Sequence, residues 1–144
     1  MIQRIQSVYL AIIVLISSIL VIYVPLWVTN KTEALFVYQS FDNKEILIMS
    51  IAIGFVITFI LALVSLLQYK KRKSQFMLNR LNIIVNLYLI GVLLYYLLNL
   101  SGEIVISEKG IGSFIPVLNI VLLALANKAI QKDEALVKSM DRLR

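Results

Sequence analysis

The charged residues of this 144-residue chain leave four long gaps. All 22 Lys, Arg, Asp and Glu side chains fall outside Ile5–Asn30, Ile46–Tyr69, Leu81–Gly102 and Gly110–Asn127, stretches of 26, 24, 22 and 18 residues. A helix rises about 1.5 Å per residue, so roughly 20 apolar residues match the hydrocarbon core of a bilayer. The pattern predicts an all-α membrane protein, a four-transmembrane-helix bundle with almost no chain left for a soluble domain. Residues 1–144 read as one integral membrane domain, with spans over roughly 5–28, 46–68, 77–99 and 113–130 and an amphipathic tail over 131–144.

The run after Arg4 imitates a secretory signal. It exceeds the ~7–15 apolar residues of such a signal, and Pro25-Leu26-Trp27 stands where a cleavage site would fall, so it is expected to stay as the first span. Between spans 1 and 2, Glu33–Gln39 is rich in strand formers, and between spans 3 and 4 so is Glu103–Ser107. Their pairing would give a small extracytoplasmic β element resting on the helix ends.

Within the spans, three patterns stand out. Ser50, Gly54, Thr58 and Ala62 recur every four residues and form a small-residue face that lets another backbone approach. That face fits packing against span 1 or span 3, or self-association of two copies. Asn79, Asn82 and Asn86 share one stripe of span 3, with Arg80 beside them and Asn119 and Asn127 available on span 4. Carboxamides in hydrocarbon must face protein or water, so the set reads as a structural polar cluster between helices or as the lining of a polar path. Arg80 is expected to bond to Asp133, Glu134 or the amides, or else to snorkel to phosphate. The third pattern is the run Lys70, Lys71, Arg72 and Lys73, which suits contact with anionic lipid headgroups or an acidic partner.

Charge gives the orientation. Arg4, Lys70, Lys71, Arg72, Lys73, Arg80, Lys128, Lys132, Lys138, Arg142 and Arg144 lie on one side, against Lys31, Lys44 and Lys109 on the other. The positive-inside bias places the eleven, and both termini, in the cytoplasm. The net charge of +6 is then a match for anionic headgroups rather than nucleic acid. The tail offers Ala129, Leu136, Met140 and Leu143 as an apolar stripe opposite Lys128, Lys132, Lys138 and Arg142.

Composition narrows the chemistry. A chain without Cys or His has no thiol nucleophile, disulfide or imidazole base, and lacks the commonest zinc ligands. There is no phosphate-cradling Gly-rich loop, HExxH or GxSxG, and no carboxylate inside a span. No enzymatic activity, cofactor or metal is expected.

Met1–Leu10, Tyr69–Gln75, Asn79–Asn82, Ala126–Glu134 and Asp141–Arg144 together resemble the family catalogued as domain of unknown function 4293, small four-span inner-membrane proteins of Bacteroidota. The resemblance covers the whole chain and implies an inner-membrane location. It brings no activity, substrate or catalytic residue. The residues themselves point to a non-enzymatic membrane subunit or scaffold that binds another membrane protein or its own copy. The alternative is a transporter or channel component with a path lined by the span 3 amides.

Overall fold

The computed structural model describes residues 5–28, 34–41, 45–99 and 110–141. The first helical segment comprises α1 (Ile5–Leu15), a π-helical turn (Ile16–Leu20) and α2 (Val21–Tyr23). It stops before Val24-Pro25, because the proline ring disfavours helical backbone in the residue preceding it. Three long helices follow: α3 (Ile46–Leu67), α4 (Arg72–Asn99) and α5 (Ile115–Asp141). Pro116 lies in the first turn of α5, where its missing N–H would have no helical partner anyway.

All three long helices are apolar and long enough to cross a membrane, while Ile5–Ile19 is a shorter apolar helix. The 22 residues of α3 reach about 33 Å, close to the thickness of bilayer hydrocarbon. The 27 residues of α5 reach about 40 Å and overrun it. The tail continues the last helix, as its sequence suggests: α5 runs unbroken past Lys128 to Asp141.

The helices pack as a ring. The first segment and α4 occupy opposite corners, each flanked by α3 and α5. A tight turn joins α3 to α4, with Lys71 N–H on Gln68 O at 2.9 Å and the Ser74 hydroxyl on Gln68 Oε1. This turn holds the Lys70–Lys73 run, which makes it the basic end of the bundle. Leu10 and Ile13 of α1 share an apolar cluster with Ala62 of α3 and Leu123 and Ala126 of α5, so α1 begins and α5 leaves the bundle at that end. A second cluster toward the opposite end joins Leu26, Val37, Ile51, Phe55, Leu89, Leu93 and Ile115.

At the opposite end, backbone meets backbone. The Gly112 N–H donates to Pro25 O at 3.2 Å, and a Cβ on Gly112 would stand 2.7 Å from that same oxygen. Glycine is what allows the chain leading into α5 to close onto the end of the first helical segment.

The outer β element is not supported. Of the described residues of the Glu33–Gln39 segment, only Ala34–Leu35 is extended, pairing antiparallel with Trp27–Val28 over two residues. Residues 103–107 lie outside the described part. The chain then turns into a 3-10 helix at Val37–Phe41, where Gln39 Oε1 accepts the Phe36 N–H at 3.1 Å and the Phe36 and Tyr38 rings stack. Local turn bonds and stacking outweigh the strand propensity of these residues, as context often does.

Candidate functional site

Polarity is inverted in this molecule. Ile84 and Leu98 are 65% and 72% exposed, whereas Asn79, Asn86 and Asn119 are 0% exposed. The buried side chains form a seam through the bundle. Near the basic end, Ser65 of α3 donates to Asn79 Oδ1 at 2.7 Å, and Asn79 Nδ2 donates to Asn127 Oδ1 on α5 at 3.0 Å. Two turns further along α4, Asn86 donates to Asn82 Oδ1 at 2.9 Å and to Thr58 Oγ1 at 3.4 Å. Asn82 donates to the Thr58 carbonyl at 3.2 Å. Asn119 of α5 closes the seam, donating to Asn86 Oδ1 at 3.4 Å and to Ser17 Oγ at 3.3 Å. Ser17 sits on the π-helical turn of the first segment.

Six of these bonds join different helical segments. At about 0.6 kcal/mol for each such bond in a membrane bundle, they contribute roughly 3–4 kcal/mol to helix association. The candidate polar cluster is thus brought together across α3, α4 and α5, with one exception.

Arg80 is not in it. Its neighbours Asn79 and Asn82 are buried, but Arg80 is exposed, with its guanidinium 4.4 Å from the centre of the Phe76 ring on its own helix. Asp133 and Glu134 do not pair with it; Glu134 instead meets Lys138 at 3.3 Å. The reason is helical geometry: one residue is a 100° rotation, which carries Arg80 off the amide stripe and onto the face of Phe76. A cation held over a ring one turn away satisfies it without a carboxylate.

The small-residue face is occupied from within the chain. A Cβ on Gly54 would meet Leu89 Cδ2 of α4 at 2.6 Å, and Thr58 and Ala62 are 0% exposed. Ser50, half-buried, donates to Leu47 O and accepts the Tyr88 hydroxyl of α4 at 2.8 Å. Packing within the chain takes up Gly54, Thr58 and Ala62, and Ser50 in part. Lys70, Lys71 and Lys73 are exposed and Arg72 is half-buried, with Lys70 Nζ 5.8 Å from the centre of the Tyr69 ring.

Several members of the seam went unread in the sequence. Gln75 precedes Asn79 by four residues and so extends the amide stripe, but it falls in the polar flank ahead of the third span. Ser65 continues the small-residue face by one further turn. Gln6 and Ser17 carried no distinguishing signal. Tyr96, near the opposite end, donates to Glu45 Oε2 at 3.0 Å and fastens α4 to the start of α3.

Beside the seam lies a largely apolar groove of about 190 Å³ between the first segment, the 3-10 helix and α3, lined by Ser17, Ile22, Val37, Tyr38, Phe41, Phe55, Val56 and Phe59. Among the described residues no group of three or more carboxylates could hold a metal ion.

Apolar outside and hydrogen-bonded inside, with three helices of membrane-crossing length, this is a helical bundle built for a lipid environment. The chain belongs to the family described as Domain of unknown function (DUF4293), whose model matches residues 2–143. No curated protein and no solved structure matches it.

Proposed function

We propose that the chain is a four-span, non-enzymatic subunit or scaffold of the inner membrane, with both termini cytoplasmic, that binds another membrane protein. One observation carries this reading. The span 3 amides, the only chemistry inside the spans that suggested a path, are fully buried and spent on bonds to α3 and α5. They act as fasteners of the bundle. What is left to work with is the outside of the molecule, and above all the end of α5.

Past Ile130, the last fully buried residue among those described in α5, the helix runs on to Asp141, with Lys132, Leu136, Val137 and Lys138 exposed. This extension carries apolar and basic positions on a rigid rod joined directly to the last span. With Lys70, Lys71 and Lys73 beside it, the cytoplasmic face touches anionic headgroups and presents the rod to a partner.

Affinity purification in mild detergent tests the reading. A stoichiometric membrane-protein partner is expected with the whole chain and is lost when the chain is ended after Ile130. A lone protein that moves solute when reconstituted into liposomes would overturn it in favour of a transporter or channel component.

A further inference from the structure

On the outside of the bundle, the line where α4 meets α5 carries cations at the basic end and apolar side chains further in. Two amide bonds give its register: Asn79 to Asn127 at 3.0 Å and Asn119 to Asn86 at 3.4 Å. The helices run antiparallel, so the next residue on each, Arg80 and Lys128, differs in depth by only about 3 Å. Around α4, Tyr96, Leu89 and Asn82 meet α3 and Asn79 meets α5. The same sense of rotation goes on to Phe76 and Arg80, which therefore stand on the α5 side. Around α5, Ala126 packs with Leu10 of α1 and Asn127 meets α4, and the rotation goes on to Gln131 and Lys128. Arg80, Lys128 and Gln131 are all exposed. The 28 residues of α4 reach about 42 Å, against about 30 Å of bilayer hydrocarbon, and Arg80 stands about 12 Å from the start of the helix. Its backbone lies inside the hydrocarbon. Its guanidinium, 4.4 Å from the centre of the Phe76 ring, is drawn back one turn to the hydrocarbon edge, level with Gln131.

We infer that this flank binds one anionic phospholipid, its phosphate on the Arg80 guanidinium and the Lys128 ammonium and an acyl chain along the seam further in. Arg80 meets Phe76 through the face of its guanidinium, and its N–H groups have no acceptor among the described residues. A guanidinium at the edge of hydrocarbon needs an anion, and its fork matches a phosphate. The carboxylates of this part of α5 do not supply one: Glu134 is held by Lys138 at 3.3 Å, and Asp133, seven residues beyond Ala126, lies on the side facing α1. Lys73, exposed and seven residues before Arg80, stands on the same face of α4 at the rim. Three cations and no free carboxylate favour a headgroup of net negative charge over one that carries its own ammonium. Seven residues deeper than Arg80 and Lys128, on those same faces, Leu87 and Val121 are exposed. Ala124, exposed between them, has no side chain beyond Cβ and leaves the trough open. A cationic head above an apolar trough fits a phospholipid better than free phosphate. The site goes beyond the general contact of Lys70–Lys73 with headgroups, and it needs the membrane but no protein partner.

Native mass spectrometry tests it on the full chain, stripped of lipid in an uncharged detergent and titrated with dioleoyl phosphatidylglycerol. One lipid is expected to be retained per chain, about tenfold or more tighter than phosphatidylcholine with the same acyl chains, as one charge-assisted bond implies. Glycerol phosphate, which has the head without the chains, is expected not to be retained. Phosphatidylcholine held as tightly overturns the site, because any lipid then fills the trough; glycerol phosphate held as tightly overturns it in favour of a plain phosphate site. No retained phosphatidylglycerol also overturns it. The double variant Arg80→Gln, Lys128→Gln should weaken retention about tenfold or more. The variant Lys70→Gln, Lys71→Gln, with the same loss of charge at the turn between α3 and α4, should keep it. Undiminished retention in the first variant, or an equal loss in both, overturns the site. Should the first variant fail to fold, Arg80→Gln alone is titrated: weakened retention supports the site and unchanged retention overturns it. None of these results depends on whether the affinity purification finds a partner.

Discussion

Replacing Asn79 with leucine keeps the branched outline of the side chain at a somewhat larger volume and removes two bonds between helices. Asn79 accepts from Ser65 and donates to Asn127, at 2.7 and 3.0 Å. At about 0.6 kcal/mol for each bond of this kind, the direct loss is about 1.2 kcal/mol. The two partners then fare differently. Ser65 can turn its hydroxyl to the carbonyl one turn back on its own helix. Asn127 keeps a carbonyl oxygen without its donor, and such an orphan costs about 1–3 kcal/mol when fully buried. Asn127 is only half-buried, so water or headgroups recover most of that cost. The expected destabilisation is about 1–2 kcal/mol.

The measurement is unfolding in mixed micelles of rising denaturing-detergent content, followed by far-ultraviolet circular dichroism. The triple variant Ser65→Ala, Asn79→Leu, Asn127→Leu supplies the control, because replacing every partner leaves no polar group stranded. It is expected to regain much of the lost stability. An Asn79→Leu variant as stable as the original chain would refute the reasoning, since the amide would then be a bystander.

Four further outcomes follow from the packing. Gly54→Val forces Leu89 and the α3–α4 seam apart and should destabilise by about 1–3 kcal/mol, the cost of overpacking, read in the same unfolding assay. Gly112→Ala sets a methyl group 2.7 Å from the Pro25 carbonyl, and as backbone cannot swing aside it should lower the melting temperature despite the smallness of the change. Arg80→Leu should leave the melting temperature unchanged, because the guanidinium is exposed and rests only on Phe76; a clear drop would mean that it holds α4 to the tail after all. Tyr96→Phe removes the hydroxyl that reaches Glu45 and should cost about 0.5–1.5 kcal/mol, with faster amide exchange at the first turn of α3 as the local signature.

The sequence by itself determined where the three long helices run. Uncharged stretches of this length can bury their backbone in lipid only as helices, and that constraint acts locally, before any packing. It also determined that the amides of span 3 share a face, because periodicity alone settles which residues lie together. Tertiary structure alone decided what each face meets. The spacing of Ser50, Gly54, Thr58 and Ala62 suits a neighbouring span and a second copy equally, and only the ring order of the helices gives that face to Leu89 and Tyr88 of α4. Arg80 looked like a member of the amide stripe by adjacency along the chain, but one residue of helical rotation puts it outside the bundle. After Leu35 the strand-forming run yields to a turn because Gln39 and the aromatic rings around it find their partners locally. Gln6 and Ser17 had nothing in their sequence surroundings to mark them; they became core only when other helices packed over them, as Asn119 of α5 does on Ser17. Which positions are polar is written along the chain, but which polar atoms end up with partners depends on residues dozens of positions away.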